Sequence, residues 1–148
     1  ELQDLRFAFD LDGDGQAENV PLLAGNRGYL ALDRNQNQRI DNGLELFGPA
    51  TGQGFAELAQ HDDDGNGWID ENDAVFNQLR VWTPSADGTG PLRTLQDMGV
   101  GALHLTSADS PFALRGEHNS ALGAVRSTSI YLREDGGAGT VQQIDLVV

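Results

Sequence analysis

Between residues 62 and 73 the chain reads Asp62-Asp63-Asp64-Gly65-Asn66-Gly67-Trp68-Ile69-Asp70-Glu71-Asn72-Asp73, with oxygen-bearing side chains at alternate positions. Carboxylates packed this closely repel one another unless a cation sits among them. The spacing fits the twelve-residue calcium loop position by position. Asp62, Asp64 and Asn66 fill positions 1, 3 and 5, and Gly67 at 6 permits the sharp turn. Trp68 offers its backbone carbonyl from position 7, and Asp70 stands at 9, acting directly or through water. Ile69 at 8 points inward as a core anchor. Position 12 is Asp73 where a glutamate is usual, and the shorter arm predicts weaker binding and slacker discrimination against magnesium. The alternative is an Asx-rich turn that needs no metal, since Asp, Asn and Gly also satisfy turns by themselves.

Two further stretches repeat the alternation. Asp33, Asn35 and Asn37 occupy positions 1, 3 and 5 of a second loop, with an Arg39 carbonyl at 7, Ile40 as anchor and Asp41 at 9. It departs twice: Gln38 replaces the turn glycine, and the closing carboxylate, Glu45, falls at 13. The turn is then taken by a non-glycine residue in a strained left-handed conformation. The other stretch supplies Asp10, Asp12 and Asp14, Gly15 at the sixth position, a Gln16 carbonyl and Glu18 at the ninth, with Pro21 where a closing carboxylate would stand. Both remain open between a calcium site and a structural turn. Thr83 to Gly88 keeps only one carboxylate, Asp87, and reads as metal-free.

The charge distribution agrees with ions in the first half. Residues 1–73 carry 16 acids and 4 arginines, whereas 74–148 carry 7 acids and 5 arginines, and the chain contains no lysine. A formal charge of −14 excludes binding to a run of phosphates or to an anionic membrane surface. No cysteine is present, which excludes disulfides, thiolate metal sites and thiol catalysis. No charged-then-apolar leader opens the chain, so a secretion signal is expected elsewhere.

The apolar pattern predicts an α+β fold. EF-hand-like loops with short helices would make up the N-terminal half, 1–82, packed on a β-rich half, 83–148, in one domain. Strands are expected at Phe7–Phe9 and Gly28–Leu32, one helical turn at Gly43–Phe47, and helices at Phe55–Ala59 and Ala74–Leu79 on either side of the Asp62 loop. A short helix from Leu92 to Met98 would stop at Gly99. Ala102–Thr106 alternates like a strand, and Thr128–Arg133 and Val141–Val147 flank the turn Asp135–Gly139 as a closing hairpin.

The string from Leu30 to Gly48, the segment Gly54-Phe55-Ala56-Glu57-Leu58-Ala59, the Asp62 loop and Phe76-Asn77-Gln78-Leu79-Arg80-Val81-Trp82 together resemble the calcium-dependent self-processing modules of bacterial RTX (repeats-in-toxin) iron-regulated proteins. The resemblance covers roughly residues 7 to 106 and extends to secreted bacterial calcium-binding proteins. It implies a module that calcium folds and that cleaves an upstream Asp–Pro bond. There the aspartate carboxylate attacks its own peptide carbonyl, and water or a lysine amine opens the resulting anhydride. The five prolines here follow Val20, Gly48, Thr83, Gly90 and Ser110, so the chain contains no Asp–Pro bond, and without lysine it supplies no amine acceptor of its own. The scissile segment would lie before Glu1. The resemblance carries over calcium ligands and no catalytic residue.

Other chemistry finds little support. His61, His104 and His118 lack metal-ligand spacing, Ser120 near His118 lacks a nucleophile elbow, and Gly136-Gly137-Ala138-Gly139 reads as a turn. The expectation is an extracellular module, part of a larger secreted bacterial protein, stabilised by two or three calcium ions. No nucleic-acid or membrane-inserted partner is expected; calcium and neighbouring domains are, and the sequence names no protein partner. A remnant of a self-cleaving module, or a dockerin-like adaptor presenting paired loop-helix segments, are the other readings.

Overall fold

The computed structural model describes residues 6–22, 28–49, 51, 53–85, 87, 89–115 and 121–146. In chain order the strands are β1 (Arg6–Phe9), β2 (Glu18–Pro21), β3 (Tyr29–Leu32), β4 (Trp68–Ile69), β5 (Leu79–Trp82), β6 (Leu92–Thr94), β7 (Val100–His104), β8 (Ala108–Arg115), β9 (Ala121–Arg133) and β10 (Ala138–Leu146). Among the described residues the helical elements are a 3-10 turn at Gly43–Glu45 and one six-residue helix, α1 (Gly54–Ala59). The fold is therefore mostly β. This corrects the expected α+β class: no loop is flanked by the two helices of an EF-hand, and no paired loop-helix segments of the dockerin kind are present among these residues.

The strands form three antiparallel sheets. β1 and β2 make a hairpin whose connection is the Asp10 loop. β5 lies between β3 and β6. The largest sheet runs β10-β9-β7-β4, with β8 on the same edge of β9 as β7 but further along it. The buried Ser129 hydroxyl bridges that junction, its proton shared between the His104 carbonyl at 2.8 Å and the Thr106 carbonyl at 2.9 Å.

Non-local pairing explains where expected helices are missing. Ala74–Leu79 forms turns with one i→i+4 bond, from Leu79 N to the Val75 carbonyl at 3.0 Å. Val75, Phe76 and Asn77 are poor helix formers, and Leu79 is drawn into β5, where it pairs with Leu32. Leu92–Thr94 is likewise a strand, pairing with Arg80–Trp82. Only one turn follows it, closed at Gly99 (φ +73°) by Gly99 N to Gln96 O at 3.0 Å and Val100 N to Leu95 O at 2.9 Å. That is the bond pair of a glycine helix stop. The closing hairpin is present and longer than expected, with β9 and β10 paired from Leu132–Ala138 to Gly123–Leu146. Val147 lies outside the described residues.

Two apolar clusters hold these sheets. Leu32, Leu58, Ile69, Val75, Phe76, Leu79, Leu95, Val100 and Leu103 fill the first. The second gathers Phe7, Phe9, Val20, Ala31, Ile40 and Leu46 around Trp82, whose ring lies 5.8, 5.1 and 5.9 Å from those of Phe7, Phe9 and Tyr29. Such aromatic contacts add about 0.5–1.5 kcal/mol each beyond the area they bury. β3 and β5 supply residues to both clusters, Leu32 and Leu79 to the first and Ala31 and Trp82 to the second.

Candidate metal centre

Residues 10–18, 33–45 and 62–73, here loops 1, 2 and 3, enter and leave on different elements yet share one backbone path. Loop 1 joins two strands, loop 2 leaves β3 for the 3-10 turn, and loop 3 leaves α1 and contains β4. In each, the aspartate at position 1 accepts the backbone N–H of position 6. Asp10 takes Gly15 at 2.9 Å, Asp33 takes Gln38 at 2.6 Å, and Asp62 takes Gly67 at 3.0 Å. The side chain at position 5 then accepts the N–H of position 7: Asp14 from Gln16 (2.8 Å), Asn37 from Arg39 (3.0 Å) and Asn66 from Trp68 (2.9 Å). These short-range bonds are what alternate Asx residues do to a backbone.

The path requires positive φ at positions 4 and 6. Glycines meet it in loops 1 and 3 (Gly13 +76°, Gly15 +88°, Gly65 +65°, Gly67 +83°). Loop 2 meets it with Gln36 (+55°) and Gln38 (+64°), where a Cβ costs roughly 1–2 kcal/mol per residue. The strained non-glycine turn expected at Gln38 is observed, and Gln36 shares it.

Loops 2 and 3 also close alike. Glu45 accepts the N–H groups of Arg34 and Asp41, both at 2.8 Å, and Asp73 accepts those of Asp63 (2.7 Å) and Asp70 (3.0 Å). These are positions 2 and 9 of each loop. Both closing carboxylates are buried, Asp73 at 2% exposure and Glu45 at 5%. At position 9 the two loops again agree, Asp41 taking the Asn35 and Asn37 amides at 2.9 Å and Asp70 the Asn66 amide at 3.1 Å. The Asn35 amide, with Asn37, holds Asp41 below the usual carboxylate range. Loop 1 has aspartate at position 5, so its ninth residue, Glu18, receives no such amide.

Among the described residues two groups of carboxylates converge. Asp10, Asp12, Asp14 and Glu18 each bring one oxygen within 4.8 Å of the others, as do Asp62, Asp64 and Asp73. Loop 2 forms no such group; its Asp33, Asn35, Asn37, Arg39, Asp41 and Glu45 are bound into the loop itself. Among the described residues, the buried side-chain oxygens without a hydrogen-bond partner are Glu18 Oε2 and Asp62 Oδ1, one in each converging group. Burial, then repulsion from Asp12, pushes Glu18 up, and burial pushes up Asp64 in loop 3 and Glu45 in loop 2. Oxygen-only donors, mostly charged, with an orphaned buried atom in each group, suit a hard divalent cation.

Outside these loops, Asp87 Oδ1 accepts from the Ser85 hydroxyl (2.8 Å), the Thr89 N–H (3.0 Å) and the Thr89 hydroxyl (2.7 Å), which hold its carboxyl down at about 2. Ala86, Gly88, His118 and Ser120 lie outside the described residues. His104 meets Trp68 at 4.5 Å with the rings tilted by 47°, and His61 meets Phe47 edge-on. The latch made by Glu45 and Asp73 was not foreseen, nor was the contact of Gly43 with loop 1; neither has a short-range sequence signal.

The SPM domain model matches residues 1–147. The chain belongs to the SPM-domain family. Over 113 residues this SPM domain is 36% identical to "Iron-regulated protein FrpA" of Neisseria meningitidis serogroup C, an alignment covering 68% of the chain and 10% of that protein. The chain thus spans about a tenth of the length of this relative and corresponds to a FrpA-like module. The resemblance to modules of iron-regulated proteins holds at that level. Among the described residues of the SPM domain, no helix is long and apolar enough to cross a membrane.

Proposed function

We propose that this SPM domain is a calcium-binding module of a larger, secreted, RTX-like bacterial protein, with one ion in loop 1 and one in loop 3. The observation that carries the reading is the pair of orphaned buried oxygens, Glu18 Oε2 and Asp62 Oδ1, each inside a converging carboxylate group. A buried carboxylate oxygen without a donor is costly, and a bound calcium ion supplies the missing positive partner. Asp10, Asp12, Asp14, the Gln16 carbonyl and Glu18 would hold the first ion. Asp62, Asp64, Asn66, the Trp68 carbonyl, Asp70 and Asp73 would hold the second. In loop 2 the carboxylates form no converging group, and Asp41 and Glu45 accept bonds from the chain itself, so this segment serves as a brace. The likeness to FrpA supports the parent being secreted, and neighbouring domains are its expected partners.

The chain's own part is to fold around the charge. Glycine-permitted turns bring the alternate carboxylates together, and the sheets fix the loop ends. Extracellular modules bind calcium at about 10⁻⁴–10⁻³ M, so such a chain gains stability where calcium is millimolar. The test is a terbium or calcium titration watched through Trp68, with Asp62→Ala/Asp64→Ala beside the wild type. Saturable emission lost in the double variant is expected; an unchanged affinity would show that loop 3 is only a turn.

A further inference from the structure

We infer that the 3-10 turn closing loop 2 forms the outer wall of loop 1 and seats Asp10 for its ion, making Gly43 and Leu44 positioning residues; this rests on the proposal that loop 1 takes calcium. The Gly43 N–H donates to the Asp10 carbonyl at 2.8 Å. A Cβ on residue 43 would overlap the Leu11 carbonyl oxygen and stand 2.5 Å from its carbon, so only glycine lets the two backbones meet. Leu44 is 46% exposed, and its inner side lies against loop 1. It covers Gly13, where a Cβ would stand 2.9 Å from Leu44 Cγ.

Those two contacts bracket one residue. The Gly13 N–H donates to Asp10 Oδ1 at 2.9 Å, and Asp14 and Gly15 donate to the same carboxylate at 3.1 and 2.9 Å. The Asp10 side chain therefore organises loop 1, while its carbonyl is pinned by loop 2. The pinning turn is itself held on both sides. Asn42 accepts the Leu44 N–H at 2.9 Å, Glu45 grips Arg34 and Asp41, and Leu46 bridges to Ala31 in β3. Loop 3 is braced differently, by β4 against β7 and by Leu105 N to the Gly67 carbonyl at 3.0 Å. Damage to the clasp should reach loop 1 and spare loop 3.

The experiment is calorimetric calcium titration of the whole chain, together with Trp68-sensitised terbium emission as the report on loop 3. Asp12→Asn/Asp14→Asn identifies the step that belongs to loop 1. Gly43→Ala should weaken that step tenfold or more, and Leu44→Ala about threefold to tenfold, with the loop 3 midpoint held within twofold. Should Gly43→Ala fail to fold, the exposed Leu44→Ala and amide exchange at Gly43 in the wild type carry the test. Calcium should slow that exchange in the wild type and not in Asp12→Asn/Asp14→Asn. Calcium uptake at both loops, with a loop 1 affinity that Leu44→Ala leaves unchanged, would overturn the clasp and leave the calcium reading standing. A wild type that takes up no calcium would remove both.

Discussion

Calcium concentration is the perturbation that separates one, two and three bound ions. A ligand that binds only the folded state adds RT ln(1 + [L]/Kd) to stability. Above Kd, each tenfold rise in calcium therefore contributes about 1.4 kcal/mol per site. Two converging carboxylate groups set a slope of about 2.7 kcal/mol per decade, against about 4.1 if loop 2 also filled and about 1.4 for a single site. With Kd about 10⁻⁴–10⁻³ M, 10 mM calcium contributes about 1.4–2.7 kcal/mol per ion, hence about 3–5 kcal/mol for two. A chain of 148 residues gains about 2–4 °C in Tm per kcal/mol, so passing from EDTA to 10 mM calcium should raise Tm by roughly 6–20 °C. Circular dichroism melts at stepped calcium and constant ionic strength read this directly. Asp62→Asn/Asp64→Asn should halve the slope, and Asp12→Asn/Asp14→Asn should halve it equally. A Tm in EDTA within about 2 °C of that in 10 mM calcium, or a slope indifferent to both double variants, would refute the electrostatic reasoning.

Three further outcomes are expected. Gln36→Gly and Gln38→Gly should each stabilise by about 0.5–1 kcal/mol in urea unfolding, since relief of the left-handed Cβ strain exceeds the added unfolded-state entropy; a loss of stability in both would contradict the strain. Asp73→Ala strands the Asp63 and Asp70 N–H groups and should cost about 2–4 kcal/mol even in EDTA, because Asp73 latches the loop besides facing the ion; a cost seen only in calcium would refute the latch. The pH response should change sign with calcium. Burial raises Glu18, Glu45 and Asp64 above their ordinary 4.5, 4.5 and 3.8, so the calcium-free fold binds those protons more tightly than the unfolded chain. These three groups should add stability as pH falls through the raised values toward the ordinary ones, before Asp12, Asp41 and Asp87, which are held low, reverse the trend at more acid pH. The calcium-loaded form needs the same carboxylates ionised and should lose stability over that window; parallel Tm curves in EDTA and calcium would dispose of this.

What was legible in the sequence is what short-range chemistry decides. The turns of all three loops follow from bonds spanning two to five residues, such as Asn66 to Trp68 N and Asp62 to Gly67 N, and those residue types announce themselves by spacing. The helix α1 and the Gly99 stop are equally local. The helices expected after loop 3 and at Leu92 failed for a non-local reason. Leu79–Trp82 is claimed by β3 on one side and β6 on the other, and apolar residues at 75, 76 and 79 suit a buried turn as well as a helix face. Long-range partners such as Leu32 and Leu79 leave no mark in a window of eleven residues.

Loop closure shows the same limit within the site. Counting positions makes Glu45 a departure, one place late, and Asp73 a shortened ligand. In space the two carboxylates do one job, each accepting the N–H groups of positions 2 and 9. A glutamate has one more methylene than an aspartate, and loop 2 has one more residue before its closing acid, so the longer side chain spans the gap that the later Cα creates. The invariant is thus where the carboxyl group arrives, and position along the chain is only a proxy for it. The same logic explains loop 1, where no residue at 12 or 13 can close the ring. There Glu18, at position 9 and anchored opposite Phe9 in the hairpin, brings the fourth carboxylate to the cluster from the strand itself. Fixing that carboxylate by strand pairing leaves Glu18 Oε2 with no backbone donor, whereas the latching acids of loops 2 and 3 each take two. Loop 1 consequently depends most on a cation for its charge balance, and on Gly43 and Leu44 for its shape.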